Sequence, residues 1–119
     1  MIPKLFLLKP NFADPKIGDD TLKYYCPHCA FIEGLLTYYP ILKSKLDIIH
    51  VDFPRPRNRI IELLGEDNQS CPSLITELET ADNTVLTDFK RHSFYLFSND
   101  TKVIARYLAK KFGIGTEHP

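Results

Sequence analysis

Apolar positions along the chain fall into short continuous runs and into stretches with helical spacing. Leu5-Phe6-Leu7-Leu8 is a continuous run ended by Pro10, the pattern of a strand buried on both faces. Asn11 to Leu22, with Pro15, Gly18, Asp19 and Asp20, has no periodicity and reads as a loop. Its length suits a lid or binding loop and equally a surface excursion. Phe31, Ile32, Leu35, Leu36 and Tyr39 then recur at helical spacing until Pro40, predicting a helix of about three turns with one buried face. Leu46, Ile48, Ile49, Val51 and Phe53 are β-rich and nearly unbroken, as in a central parallel strand, and His50 within them is expected to be a core histidine. Ile60, Ile61, Leu63 and Leu64 form a short helix stopped by Gly65. Cys71-Pro72 opens a strand over Leu74–Leu78, and Ala81-Asp82-Asn83 looks like a hairpin turn into Val85-Leu86. Phe89 to Phe97 is aromatic-rich, carries Lys90-Arg91-His92 and signals no single element type. Ser98-Asn99-Asp100 caps a last helix through Val103, Ile104, Tyr107 and Leu108, ended by Gly113, with a loose tail from Gly115 to Pro119.

Strand–helix–strand at the front implies a right-handed parallel crossover. A hairpin after it adds antiparallel strands. The expected architecture is α/β, a single domain over residues 1–119 with a mixed four-stranded sheet flanked by three helices. Hydrophobic residues at 44% and charged residues at 25% fit an ordinary globular protein rather than a disordered chain. Zero formal net charge gives no broad electrostatic case for nucleic acid or an anionic membrane. No segment approaches a membrane span, and the N-terminal apolar run is too short for a signal peptide. An odd count of 3 cysteines without a secretory signal points to the reducing cytosol.

Two of those cysteines lie in Tyr24-Tyr25-Cys26-Pro27-His28-Cys29, at the start of the first predicted helix. There the free backbone N–H groups and the helix dipole favour an anion, so the Cys26 thiolate is expected to be stabilised. Pro27 suits the first helical position. Cys29, one turn on, can close a disulfide. The pair therefore reads as a nucleophile and its resolving partner. C-x-x-C is also half of a zinc site, and paired cysteines can be inert core residues. A tetrahedral zinc site wants further paired ligands, whereas Cys71, His50, His92, His118 and His28 occur singly.

This order of elements, with C-P-H-C opening the first helix and X-Pro opening the third strand, resembles the thioredoxin-like superfamily over nearly the whole chain. The resemblance implies that Pro72 is cis and lies against the active cysteines, in place of an ordinary trans proline at a strand start. Asp100-Thr101-Lys102-Val103-Ile104-Ala105-Arg106-Tyr107-Leu108 is similar to a pattern in glutathione transferase N-terminal domains. There an acid and a hydroxyl at a helix start hold the γ-glutamyl end of glutathione, and glutaredoxins place an acid comparably. Helix capping explains Asp100 and Thr101 equally well. No all-helical transferase domain follows. C-P-H-C is familiar from DsbA-type disulfide-forming proteins, where the His lowers the thiol pKa, but their helical insertion and export signal are missing. The chain resembles most a small, functionally uncharacterised thioredoxin-like family that pairs C-P-H-C with Cys-Pro.

The activity implied is a thiol–disulfide oxidoreductase of glutaredoxin or thioredoxin type. Its catalytic residues are Cys26, Cys29, His28 and Pro72, and its substrates are protein or low-molecular-weight disulfides. It requires no cofactor, with glutathione as the candidate small thiol at Cys71, Asp100, Thr101 and Arg57. Cys71 stands where related enzymes carry Thr, Val or Ile. It is packing filler, a third redox thiol, or a third ligand beside Cys26 and Cys29 to a soft metal or iron–sulfur cluster. That last option defines the alternative, a non-catalytic module holding a metal, a cluster or a partner protein. Arg55, Arg57 and Arg59 are either a solvated helix start or, in one case, the anchor of a substrate carboxylate.

Overall fold

The computed structural model describes residues 1–78 and 87–119. Strand β1 (Lys4–Leu8) leads through a long connection to α1 (Pro27–Tyr38), the single turn α2 (Leu42–Lys45) and β2 (Asp47–Val51). Next come α3 (Asn58–Leu64), β3 (Ser73–Glu77), β4 (Lys90–His92), β5 (Tyr95–Ser98) and α4 (Thr101–Phe112). The strands form one mixed sheet in the order β2-β1-β3-β5-β4. β1 and β2 are parallel, in the register Leu5↔Ile48 and Leu7↔His50. Every other pairing is antiparallel.

Alternation along the central strands sends side chains into two cores. Leu5, Leu7, Leu74 and Leu96 face one side, where Cys29, Ile32 and Leu36 of α1 meet Ile104, Tyr107 and Leu108 of α4. Phe6, Ile75 and Phe97 face the other side, against Ile60 and Leu64 of α3 and Ile49 of β2. The result is three layers, with α1 and α4 on one face of the sheet and α3 on the other. β1 is buried on both faces because it sits between β2 and β3 with a helix layer on each side, as its unbroken apolar run predicts.

Among the described residues the sheet has five strands rather than four, and the helices number four rather than three. The extra helix is α2, a turn after Pro40 that is too short to leave an apolar period. Two of the strands come from the aromatic-rich segment, which folds as a hairpin with β4 at the edge and β5 inside. Its turn residue Ser93 has φ 54°. β5 is also the antiparallel neighbour of β3, through Leu74↔Ser98 to Glu77↔Tyr95. The expected turn at Ala81-Asp82-Asn83 and the strand at Val85-Leu86 lie outside the described residues.

Two more expectations are corrected. His50 is not a core histidine. β2 is the other edge of the sheet, only Ile49 within it is buried, and His50 is exposed. The tail is not loose at its start either. Ile114 packs on the larger core cluster, and Gly115 lies so close to Tyr39 that a Cβ there would stand 2.5 Å from the Tyr39 hydroxyl. The long loop is pinned at its base, where Phe12 and Tyr24 exchange backbone hydrogen bonds of 3.1 and 2.8 Å and the Phe12 ring stacks on Phe53. No described helix is long and apolar enough to cross a membrane.

Leu74 of β3 is fully buried in the core that includes Cys29. Leu74→Ala should cost about 2–5 kcal/mol, read as a lower urea midpoint at unchanged slope.

Candidate dithiol site

Cys26 is the N-cap of α1, with φ −79° and ψ 116°, and Pro27 occupies the first helical turn. Its Sγ accepts a hydrogen bond from Cys29 N–H at 3.2 Å, taking the place that a Ser or Asp oxygen fills in an ordinary cap. The helix then fixes Cys29 three residues on, facing inward. Cys29 is 2% exposed and packs with Ile32 and Leu36, whereas Cys26 is only half-buried. The Cys29 Sγ accepts from Leu8 N–H at 3.4 Å, at the end of β1. Burial pushes the Cys29 thiol well above the ordinary range, and that backbone bond offsets part of the shift. All three cysteines are free thiols.

The Cys71–Pro72 bond is cis, as the resemblance implies, and it faces the dithiol. The Cys26 thiol points at the Cys71 carbonyl at 4.0 Å. Cys71 thus turns its backbone to Cys26 while its side chain packs into both core clusters. Burial pushes its thiol up to about 11, against a smaller downward pull from the Arg57 guanidinium. Among the described residues no three Cys, His, Asp or Glu side chains converge as a metal site requires. His50 is instead paired with Glu33, and His92 lies against Gly65.

Two side chains that the sequence did not single out hold the Cys71–Pro72 segment in place. Asn99 donates from Nδ2 to the carbonyls of Ser70 at 2.9 Å and Pro72 at 3.2 Å. Gln69 accepts the Arg57 backbone N–H at 2.7 Å and donates to Glu66 O at 2.8 Å. Their only sequence signal is position, polar amides flanking Cys-Pro on one side and the last helix on the other.

Arg57 corrects the reading of a solvated helix start. It is 8% exposed, and its guanidinium donates to Phe53 O from Nε at 3.1 Å and Nη2 at 2.6 Å, and to Gln69 O from Nη1 at 2.8 Å. It lies 5.6 Å from the Phe53 ring centroid. The fork is used as a clamp between the β2–α3 connection and the loop before Pro72. Arg55 and Arg59 remain at the surface, with Arg55 3.5 Å from the Ser70 hydroxyl.

Two grooves lie at the start of α1, and Cys26 lines the second of them. One of about 520 Å³ is lined by His28, Phe31, Asn99, Asp100, Thr101 and Glu117 among others, so the structure brings His28 together with both candidate γ-glutamyl contacts. Asp100 Oδ1 also accepts Lys102 N–H at 2.9 Å and Val103 N–H at 3.1 Å, a complete N-cap. The other groove, about 540 Å³, is lined by Tyr25, Cys26, Cys29, Glu33 and His50 with parts of the β1 end.

A family model described as "Protein of unknown function (DUF3088)" matches residues 2–116. The chain belongs to the DUF3088 family. No curated protein and no solved structure matches it. For this DUF3088 chain the residues themselves carry the chemistry, and they amount to an asymmetric pair of thiols, one reachable and one sealed, beside a cis-proline.

A neutral thiol that folding buries stabilises the native state below its ordinary value of 9.0, and that stability is lost as pH rises through the folded value of about 11. Thermal stability should therefore fall between these two values. Cys71→Ala should start lower at neutral pH, having lost packing, and then fall less steeply over the same range.

Proposed function

We propose that the chain is a thiol–disulfide oxidoreductase in which Cys26 is the nucleophile and Cys29 the resolving thiol. The observation that carries this reading is the asymmetry of the pair. Cys26 Sγ is half-buried and already accepts a backbone N–H at 3.2 Å, while Cys29 is 2% exposed directly behind it. A substrate disulfide can reach only the first sulfur, and only the second is placed to displace it.

The thioredoxin-like character of the fold is part of the same reading. The parallel β1–α1–β2 unit, the antiparallel β3 and β5, the cysteine at the start of α1 and the cis Pro72 at the start of β3 all support it. In the reaction the Cys26 thiolate attacks one sulfur of a disulfide, forming a mixed disulfide and releasing the other half as a thiolate. Cys29, once deprotonated, attacks Cys26 Sγ. The substrate's second thiolate leaves, and the Cys26–Cys29 bond holds the oxidising equivalents. Two electrons pass from dithiol to substrate; the reverse sequence oxidises a substrate dithiol. Pro72 and the Cys71 carbonyl form the wall against which the substrate sulfur would lie.

A glutathione half-disulfide suits the His28 side, where Thr101 and the Asp100 carboxylate line the groove. Arg57 has its donors engaged by carbonyls and does not belong to that contact set. A reducing compartment suits an odd count of 3 cysteines.

Turnover of a glutathione–hydroxyethyl mixed disulfide by added glutathione, coupled to reduction of the glutathione disulfide formed, tests the assignment. Cys26→Ser should lose activity at least about 100-fold. Cys29→Ser should accumulate a stoichiometric adduct on Cys26, seen by mass spectrometry. A Cys26→Ser variant with full activity would overturn the proposal.

Asp100→Asn separates ligand binding from capping, because Asn caps a helix about as well as Asp. Stability should stay within about 0.5 kcal/mol of wild type, while KM for the glutathione disulfide rises at unchanged kcat. An unchanged KM would leave Asp100 with its capping role alone.

A further inference from the structure

The resolving step poses a proton problem. Cys29 must become a thiolate to attack Cys26, yet it is 2% exposed, and burial holds its proton on. The Leu8 N–H at 3.4 Å can stabilise the sulfur once it is charged, but an amide cannot take the proton. A backbone donor behind a buried thiol is half of a catalytic arrangement. The other half is an acceptor.

The groove beside Cys26 and Cys29 supplies one. Glu33 follows Cys29 by four residues, so it lies one turn further along the same stripe of α1. His50 reaches it from β2. The parallel register sets His50 beside Leu7, whose side chain lies in the core shared with α1, so the imidazole emerges on the α1 face of the sheet. His50 Nε2 and Glu33 Oε1 meet at 2.5 Å, and both residues line the groove of about 540 Å³ with the two sulfurs.

Resting on the oxidoreductase reading, we propose that Glu33, oriented by His50, is the proton acceptor for Cys29 in the resolving step. The Cys29 proton passes to the carboxylate–imidazole pair as Cys29 Sγ attacks Cys26 Sγ. The Cys26–substrate sulfur bond breaks, the electron pair leaves with the substrate thiolate, and the new bond joins Cys26 to Cys29. The acquired proton then goes to the departing thiolate or to solvent.

The surroundings favour this pair. Tyr25 also lines the groove, but a phenol hydroxyl is a far weaker base than a carboxylate or an imidazole. On the far side of His50 a second groove holds Lys9, Asp52, Arg55, Arg57 and Arg59. Of these, Lys9 and Asp52 pair with each other at 3.1 Å, and the rest are cations. His28, Asp100 and Glu117 line the other groove, which neither sulfur enters, so Glu33 and His50 are the proton acceptors in the groove that holds both sulfurs. As a plain surface contact, with side chains 44% and 43% exposed, they would add little to stability. Their place in the groove gives them a use beyond that.

The test is stopped-flow reaction with one equivalent of dithiobis-nitrobenzoate, whose thiolate product is coloured. In wild type, attack by Cys26 releases a first thiolate and attack by Cys29 a second. Glu33→Gln should slow the second release at least about tenfold near neutral pH. The deficit should shrink above about pH 9, where hydroxide takes the proton instead. Glu33→Asp should recover part of the rate, and His50→Gln should show a smaller deficit with the same pH trend. An unaltered second release in Glu33→Gln, or a deficit constant across pH, overturns the proposal while leaving the oxidoreductase reading intact. A wild-type protein that releases one thiolate only, or a Cys29→Ser variant that releases both, removes that reading and this proposal with it.

Discussion

One buried face of α1 governs the rest. Cys29, Ile32 and Leu36 share that face and are all but sealed against Leu5, Leu7 and Leu74 of the sheet. Once they are docked, the helix has no freedom about its axis, and Cys26, one turn before Cys29, falls at the N-cap beside the ends of β1 and β3. The difference between the two thiols follows from packing alone. The same side chains that build the core make one sulfur inaccessible and leave its partner at the rim, where the helix's unpaired amides are. A core that held α1 in another rotation would lose the chemistry together with the stability.

The second constraint lies opposite, in the loop that carries Cys71 and Pro72. It is held from both sides, by the Arg57 fork and Gln69 near its start and by Asn99 at its end. Burying a guanidinium is costly unless its donors are satisfied. Arg57 meets this requirement with backbone carbonyls of Phe53 and Gln69, leaving its charge close to the thiols rather than against a carboxylate. The Cys71 carbonyl consequently faces Cys26 in a fixed frame, and the Cys71 side chain packs against both cores.

Most of this was legible where a local rule decides the outcome. An unbroken apolar run gave β1, a helical period and Pro27 gave α1, and Asp100 and Gly113 marked the ends of α4. What escaped depends on neighbours far along the chain. Whether β2 is central or at an edge is set by strand order, so its apolar run hid the exposure of His50 and with it the Glu33 contact. The burial of Arg57 arises because the loop before Pro72 folds over it, which a charged tripeptide rhythm of Arg55, Arg57 and Arg59 does not reveal. The segment from Phe89 to Phe97 mixes inward and outward aromatics around a two-residue turn, so neither period dominates. Docking of Ile114 and the tight fit of Gly115 against Tyr39 are likewise matters of tertiary contact.

The central claim, that Cys26 and Cys29 act as one dithiol beside a third thiol kept out of the exchange, can be tested at equilibrium. The protein would be poised in buffers of graded thiol–disulfide ratio, quenched with acid, alkylated and mapped by peptide mass spectrometry. The account predicts a single two-electron transition confined to Cys26 and Cys29, with Cys71 recovered as a free thiol throughout. Cys26 and Cys29 persisting as separate thiols across the whole range, or a disulfide that includes Cys71, would contradict it.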